Sequence, residues 1–358
     1  MGEPGTAIIF SPRYLDHKTG FGHPESPRRL EAAVEGLERS SLLRRGREAR
    51  IVWVEPEPAD LEALRLVHES EYINLVKDIC SRGGGLLGSD ETVLSSESFE
   101  VASLAVGGAL KAVEEVMDGV FKNSFALVRP PGHHAGPDYS LGFCIFNNVA
   151  VAAAHLVERR GLSRVLVLDI DAHHGNGTQE AFYSTKSVLY ISLHQDPWEF
   201  PGTGFVDEVG VGDGLGYNVN IVLPFGCGDP SYWRAIRDIV VPVAQQYKPQ
   251  FILVSAGFDG YYRDSVADLS LSAFIYPRVF RVLLELAERV CGGRLVAVLE
   301  GGYSLGFLRK VVPSVVAEMA GIFYRVSDRR PKLNLAAEIM AEKMLEDVRL
   351  IQSRFWSL

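Results

Sequence analysis

Apolar residues gather in eight short runs, at residues 7–10, 51–54, 125–128, 165–168, 188–192, 218–223, 251–254 and 295–299. Several runs are continuous rather than alternating, the pattern of strands buried on both faces of a parallel sheet. Between many of them the period lengthens. Residues 99–117, 148–158, 230–246 and 274–290 carry small and apolar side chains at helical spacing. This alternation predicts a doubly wound α/β sheet, mostly parallel and flanked by helices on both faces. No repeat, low-complexity tract or linker divides the chain, so one domain over 1–358 is expected. Near its end, Met340, Met344, Val348, Ile351 and Phe355 form one stripe of an amphipathic helix within 335–358. That stripe would pack on the domain's own surface or against a second subunit.

Polar residues interrupt the pattern in four places, each at the carboxyl end of a predicted strand, where an open α/β sheet places its active site. The most informative is Asp169-Ile170-Asp171-Ala172-His173-His174-Gly175. If strand alternation continues there, Asp169, Asp171 and His173 share one face. Two carboxylates and an imidazole on one face suit a metal ion, because burying neighbouring acids without a cation is costly. A helix-capping Asp beside solvated histidines is the plainer alternative. Asp171 and His173 can ligate. Asp169 can instead accept a hydrogen bond from an imidazole, fixing its tautomer and raising its basicity. Asn176 could do the same for a second histidine without adding charge.

The other three loops add to this. Arg129-Pro130-Pro131-Gly132 makes a stiff turn that presents His133 and His134, a pair suited to general acid–base work or simply to the surface. In Ser255-Ala256-Gly257-Phe258-Asp259, the acid is a third ligand or a helix cap. Two Asp and one His would leave a metal open to water and a substrate carbonyl. In Glu300-Gly301-Gly302-Tyr303, the glycines let the loop fold back over the site, where Tyr303 offers a phenol to an oxyanion or packs. Taken together, the four loops describe a hydrolase for an acyl bond.

Composition removes some classes. The net charge of −9 over 358 residues argues against general nucleic-acid binding, which wants a basic face. Cys80, Cys144, Cys227 and Cys291 form no CxxC pair, which argues for a reducing, cytoplasmic setting rather than a disulfide framework. No run approaches the ~18 apolar residues of a membrane span. The start lacks a signal-peptide pattern, so no membrane partner is expected. Met1–Thr6 matches the N-myristoylation pattern, but Glu3 and Pro4 mark the match as chance.

The four loops occur in order with His23-Pro24-Glu25-Ser26-Pro27-Arg28-Arg29 and Gly142-Phe143-Cys144-Ile145-Phe146-Asn147-Asn148. With these motifs the chain resembles the zinc-dependent histone deacetylase family, in its class II-like branch with the prokaryotic histone deacetylase-like amidohydrolases and acetoin utilization proteins. The resemblance implies the arginase–deacetylase fold and its eight-stranded sheet. It implies one Zn²⁺ on Asp171, His173 and Asp259, tandem histidines His133 and His134 with His134 the general base, and Tyr303 as oxyanion donor. Asp169 would partner His133 and Asn176 would partner His134; the class I branch carries Asp at the latter position. Gly142 and Phe143, with Phe200 opposite, would line a slot for an acyl-lysine stem, and Arg29 would lie in an inner channel. Two K⁺ sites are implied, one at Asp169, Asp171, His173, Ser192 and Leu193, the other at Phe182, Thr185, Val188 and Tyr217.

The chain departs from the family over Gly260 to Val266, where eukaryotic class II enzymes carry Asp-Pro-Leu. Polyamine-selective relatives carry a glutamate where Val266 aligns. The expected substrate is therefore an acyl-lysine protein or a similar small acylated amine, with acetylpolyamine amidohydrolase as the nearest rival. Ser89, Asp90 and Glu91 could form a rim that binds a peptide backbone or a cationic group. A binuclear manganese ureohydrolase would need further acids where Asn176 and Tyr261 stand. A non-catalytic acyl-lysine module should have lost a ligand or Tyr303. A homo-oligomer is left open.

Overall fold

A computed structural model describes residues 5–44, 50–88 and 92–358. Its strands are β1 (Thr6–Ile9), β2 (Ile51–Val54), β3 (Gly84–Leu86), β4 (Val93–Ser95), β5 (Asn123–Ala126), β6 (Val165–Asp169), β7 (Val188–Gln195), β8 (Asn218–Leu223), β9 (Phe251–Ala256) and β10 (Leu295–Leu299). Eight of them form one sheet in the order β2-β1-β5-β10-β9-β6-β7-β8, and β3 pairs with β4 in a small antiparallel ribbon. Every pairing in the large sheet is parallel. All residues of β1, β5, β6, β7, β8, β9 and β10 are buried, which is why their sequences run apolar without alternation. Within the large sheet only β2, at one edge, has partly or fully exposed residues.

Helices cover both faces. Those at Ser98–Met117, Asn148–Glu158 and Ile275–Cys291 match the periodic segments closely. The segment expected as one helix over 230–246 runs as Asp229–Ala235, a wider π turn at Ile236–Val240, and Val241–Tyr247. Pro242, which has no N–H to give, lies where the regular ladder resumes. Helices Arg28–Arg39 and Leu305–Met319, which pack against each other, escaped the sequence pattern.

The C-terminal helix spans Leu335–Gln352 and lies along β8. Its buried stripe is Ala337, Ala341, Leu345, Val348 and Gln352, rotated from the one expected. Met340 is exposed, while Met344, Ile351 and Phe355 are only partly covered. Small Ala337 and Ala341 permit the close approach that larger side chains would prevent. Gln352 Nε2 donates to the Asn218 carbonyl at 3.3 Å and Trp356 Nε1 to the Gly216 carbonyl at 2.9 Å, so the tail covers the second sheet edge. Among the described residues, no helix is long and apolar enough to cross a membrane. The four cysteines are free and buried. Ser89–Glu91 and the Met1–Pro4 part of the acylation pattern lie outside the described residues.

Candidate active site

The four chemistry-bearing loops follow β5, β6, β9 and β10, and these are the four central neighbours β5-β10-β9-β6. Strand order therefore gathers segments that are far apart along the chain at the carboxyl ends of the central strands.

Asp171, His173 and Asp259 converge there, each buried, with one ligand-type atom apiece all within 4.8 Å. His173 Nδ1 lies 2.8 Å from Asp259 Oδ2 and 3.4 Å from Asp171 Oδ1. The route to this geometry differs from the one expected. β6 ends at Asp169, so pleat alternation does not carry the motif. Instead Asp169 Oδ1 accepts the Asp171 amide at 3.1 Å and Asp171 Oδ1 accepts the His173 amide at 3.0 Å. Two successive side-chain-to-backbone turns replace the strand, because Asp readily satisfies the amide two residues on.

The donor set fits a divalent cation. Two carboxylates share one buried spot with a single imidazole. Burial and then the charge of Asp171 push Asp259 up to about 7. At Asp171, burial raises the pKa, but the charge of His133 and the hydrogen bond from His173 outweigh it and hold the acid well below its usual range. A cation would balance this excess of negative charge, and a set of one nitrogen and two carboxylate oxygens suits Zn²⁺. A second buried group, His133, Cys144 and Glu300, is a poorer candidate. Burial holds the Cys144 thiol well above its normal pKa, and Glu300 Oε2 already accepts the amides of Gly132 and His133 at 2.6 and 3.2 Å.

His133 and His134 lie with ring centroids 4.0 Å apart. His133 Nδ1 is 3.0 Å from Asp169 Oδ2, an oxygen that also accepts the Tyr190 hydroxyl at 3.0 Å. His134 Nδ1 is 2.8 Å from Asn176 Oδ1. Their environments separate them. At His133, burial disfavours the charge, but Asp169 and then Asp171 prevail and raise its pKa to about 10. At His134, burial, His133 and His173 all push the pKa well below its usual value, leaving a neutral base.

Tyr303 stands beside these groups, its ring 5.8 Å from that of Phe143, and its hydroxyl makes no hydrogen bond among the described residues. Gly142 (φ 54°) and Phe143 (φ 69°) are both left-handed. A Cβ on Gly142 would lie 2.4 Å from His134 Cδ2, so only glycine fits there. Phe200 sits 5.0 Å from the His134 ring and 5.7 Å from that of His173.

Arg29 is fully buried beneath Tyr303, its guanidinium 4.8 Å from the ring centre. It donates to the Gly302 carbonyl (2.7 Å), to the Glu300 carbonyl and to Glu25 (3.1 Å). Val266 is half-buried, and its amide meets Asp264 Oδ1 at 3.1 Å. His174 turns away, with Thr203 and Gln179 at 3.1 Å from its two ring nitrogens. Tyr261 stacks on Phe307 at 3.8 Å and donates to Asp328, so it belongs to packing rather than to the candidate metal site.

Of the positions expected for K⁺, Ser192 pairs with Asp169 across β6 and β7 and bonds His194 through its hydroxyl. Leu193 follows, buried. The carbonyls of Phe182 and Tyr217 accept the amides of Thr185 and Tyr190 respectively, and Val188 opens β7.

Sequence reasoning missed several supports, among them Asp264, whose Oδ2 accepts the Tyr303 amide, the buried Glu25–Arg129 ion pair and Tyr190. Each acts through a partner distant in sequence, and no local spacing betrays such a partner.

The histone deacetylase domain matches residues 23–319, which include all four loops, and the chain belongs to that family of hydrolases. It is 41% identical to a probable deacetylase of Archaeoglobus fulgidus over 98% of both chains. It is 39% identical to the histone deacetylase-like amidohydrolase of Pseudomonas aeruginosa, over 86% of this chain and 79% of that one. Among solved structures, the HDA15 HD domain superposes with a TM-score of 0.87 at 34% identity, covering 99% of this chain and 96% of the other.

Proposed function

We propose that this protein is a Zn²⁺-dependent deacylase that removes acetyl or related acyl groups from acyl-lysine or a similar amine. The observation that carries the reading is the convergence of Asp171, His173 and Asp259 beside a histidine pair with opposite charge preferences.

Asp171, His173 and Asp259 would hold the ion, which when bound supplies Lewis acidity toward a carbonyl and toward water. His134 has its Nδ1–H committed to Asn176, so Nε2 keeps its lone pair and takes the proton of attacking water. The same nitrogen returns that proton to the leaving amine. His133, kept charged by Asp169, steadies the negative charge that develops next to it. Tyr303 donates its free hydroxyl to the oxyanion. Phe143 and Phe200 give the substrate stem apolar walls and exclude water. Val266 stands where polyamine-selective relatives carry a glutamate, so the carboxylate that would hold a polyamine is missing at that position, which favours acyl-lysine. The family resemblance extends the proposal to K⁺ beside Asp169 and around Phe182 and Tyr217, and that part rests on resemblance alone.

The test is turnover of acetyl-lysine peptides and acetylated polyamines, with metal content measured on the same sample. One zinc per chain, faster peptide turnover, loss on chelation and recovery with Zn²⁺ are expected. Zinc-loaded protein that hydrolyses neither substrate would overturn the reading. A strong polyamine preference would reverse the substrate order.

A further inference from the structure

Asn176 is gripped on both sides. Its Oδ1 accepts from His134 Nδ1 at 2.8 Å. Its Nδ2 donates to the His134 carbonyl at 3.3 Å and to the Tyr139 hydroxyl at 3.1 Å. Tyr139 in turn donates to Glu180 Oε2 at 2.6 Å. Asn176 and Glu180 are four residues apart on the helix Asn176–Phe182, hence on one face. Tyr139 reaches both from a tight turn closed by the Gly136 amide on the Tyr139 carbonyl at 3.0 Å. Its ring lies directly over Gly136, where a Cβ would come within 2.2 Å of a ring carbon.

The outer end of this chain dictates the inner one. A carboxylate only accepts, so Tyr139 must give its proton to Glu180 and turn lone pairs toward Asn176. Asn176 must then answer with its NH₂, which points Oδ1 at His134. An amide oxygen also only accepts, so His134 must carry its proton on Nδ1 and keep Nε2 free. A flipped Asn176 would place NH₂ against Nδ1, force the proton onto Nε2 and leave no base facing the site. Aspartate at position 176 would need no such guidance, because both its oxygens accept. Asparagine has two nearly isosteric ends, and the His134 carbonyl at 3.3 Å and the Tyr139 hydroxyl at the shorter 3.1 Å are the two acceptors that settle which way it faces.

We propose that Tyr139 and Glu180 are positioning residues that orient the Asn176 amide and thereby fix the tautomer of His134. The catalytic meaning of this rests on the deacylase reading above; the tautomer itself does not.

The experiment uses zinc-loaded protein and two readouts, the imidazole ¹⁵N spectrum of His134 and steady-state kinetics on an acetyl-lysine peptide. Tyr139→Phe should give a mixture of His134 tautomers and lower kcat with KM unchanged. The fall should be about tenfold or less, since only part of the population carries the wrong tautomer, against the ~10²–10⁴ of a lost base. Glu180→Met should move both readouts the same way by less. Glu180→Gln should stay near wild type, because its carbonyl still accepts. The double variant Tyr139→Phe/Glu180→Met should be no worse than Tyr139→Phe. Glu180 is exposed, so its variants carry the test should Tyr139→Phe fail to fold. A wild-type tautomer in Tyr139→Phe or, failing that, in Glu180→Met would overturn the proposal. If the wild type turns over no acyl-lysine, the deacylase reading fails, while the nitrogen spectra still decide whether the chain of hydrogen bonds sets the tautomer.

Discussion

Asp264 Oδ2 accepts the backbone amides of both Tyr303, at 2.7 Å, and Ser304, at 2.9 Å. One carboxylate thus ties the 260–266 segment to the loop that presents the phenol. Asp264→Ala should lower kcat about tenfold while zinc content stays at one per chain. Tyr303→Phe, which on the proposed mechanism removes the oxyanion donor, should cost ~10²-fold or more. Because Asp264 acts through Tyr303, the double variant should be no slower than Tyr303→Phe. Additive losses in the kinetics would refute that dependence.

Gly142 backs the His134 ring so closely that any side chain must displace it. Its positive φ adds backbone strain to that clash. Gly142→Ala should therefore lower kcat by up to ~10²-fold, the scale of a 1 Å misplacement of a catalytic group. Zinc affinity should change little, since the proposed ligands Asp171, His173 and Asp259 lie elsewhere. Near-normal kcat in a folded Gly142→Ala protein would show that the ring has room to move.

His68 is built to be neutral. Its Nε2 accepts the Asn147 amide at 2.8 Å, and its Nδ1 lies 2.8 Å from the Gly136 carbonyl. Burial lowers its pKa to about 4. In the unfolded chain it protonates below ~6.5. Between those values the unfolded state binds one more proton, so this residue's contribution falls as pH falls, by about 1.4 kcal/mol per unit. Below about 4 the loss levels off. Unfolding by urea across pH 7 to 4 should show His68→Gln gaining on the wild type at roughly that rate. A difference that stays constant with pH would contradict the neutral assignment.

Glu25 lies between two fully buried guanidiniums. Arg129 meets it through two bonds, at 2.8 and 2.7 Å, and Arg29 at 3.1 Å. Burial raises the carboxyl pKa, but Arg129, above all, and Arg29 outweigh it and hold the acid below its ordinary range. Its stabilisation is complete above the unfolded value near ~4.3 and is lost progressively below it, down to the lower folded value. The pH 6.5–4 losses therefore come from histidines, not from this pair. Glu25→Gln leaves two buried cations uncompensated and should cost about 3–5 kcal/mol at pH 7. Denaturation curves within about 1 kcal/mol of the wild type would mean that the arginines find other acceptors.

Much of the site was legible because its chemistry is carried by short segments. The Asp169–Gly175 stretch, the tandem histidines and the Glu300–Tyr303 loop each announce themselves by residue type at the end of an apolar run. The C-terminal stripe was misread because periodicity alone favours the largest apolar side chains, whereas contact with β8 favours the smallest. Asp264, Glu25 and Tyr139 stayed hidden because each is an ordinary polar residue until a distant backbone or side chain comes to meet it.

The sequence by itself determined the parallel sheet, through unbroken apolar runs that only a doubly covered strand can bury. It also determined which residue types stand at the strand ends. Tertiary structure decided the strand order, placing β5, β10, β9 and β6 side by side although β5 and β10 lie far apart in the chain. It also decided how Asp169, Asp171 and His173 come together, through side-chain turns rather than a pleat, and which way the Asn176 amide faces. Orientation of that kind depends on what lies at the far end of a hydrogen-bond chain, and only the folded molecule brings that end into place.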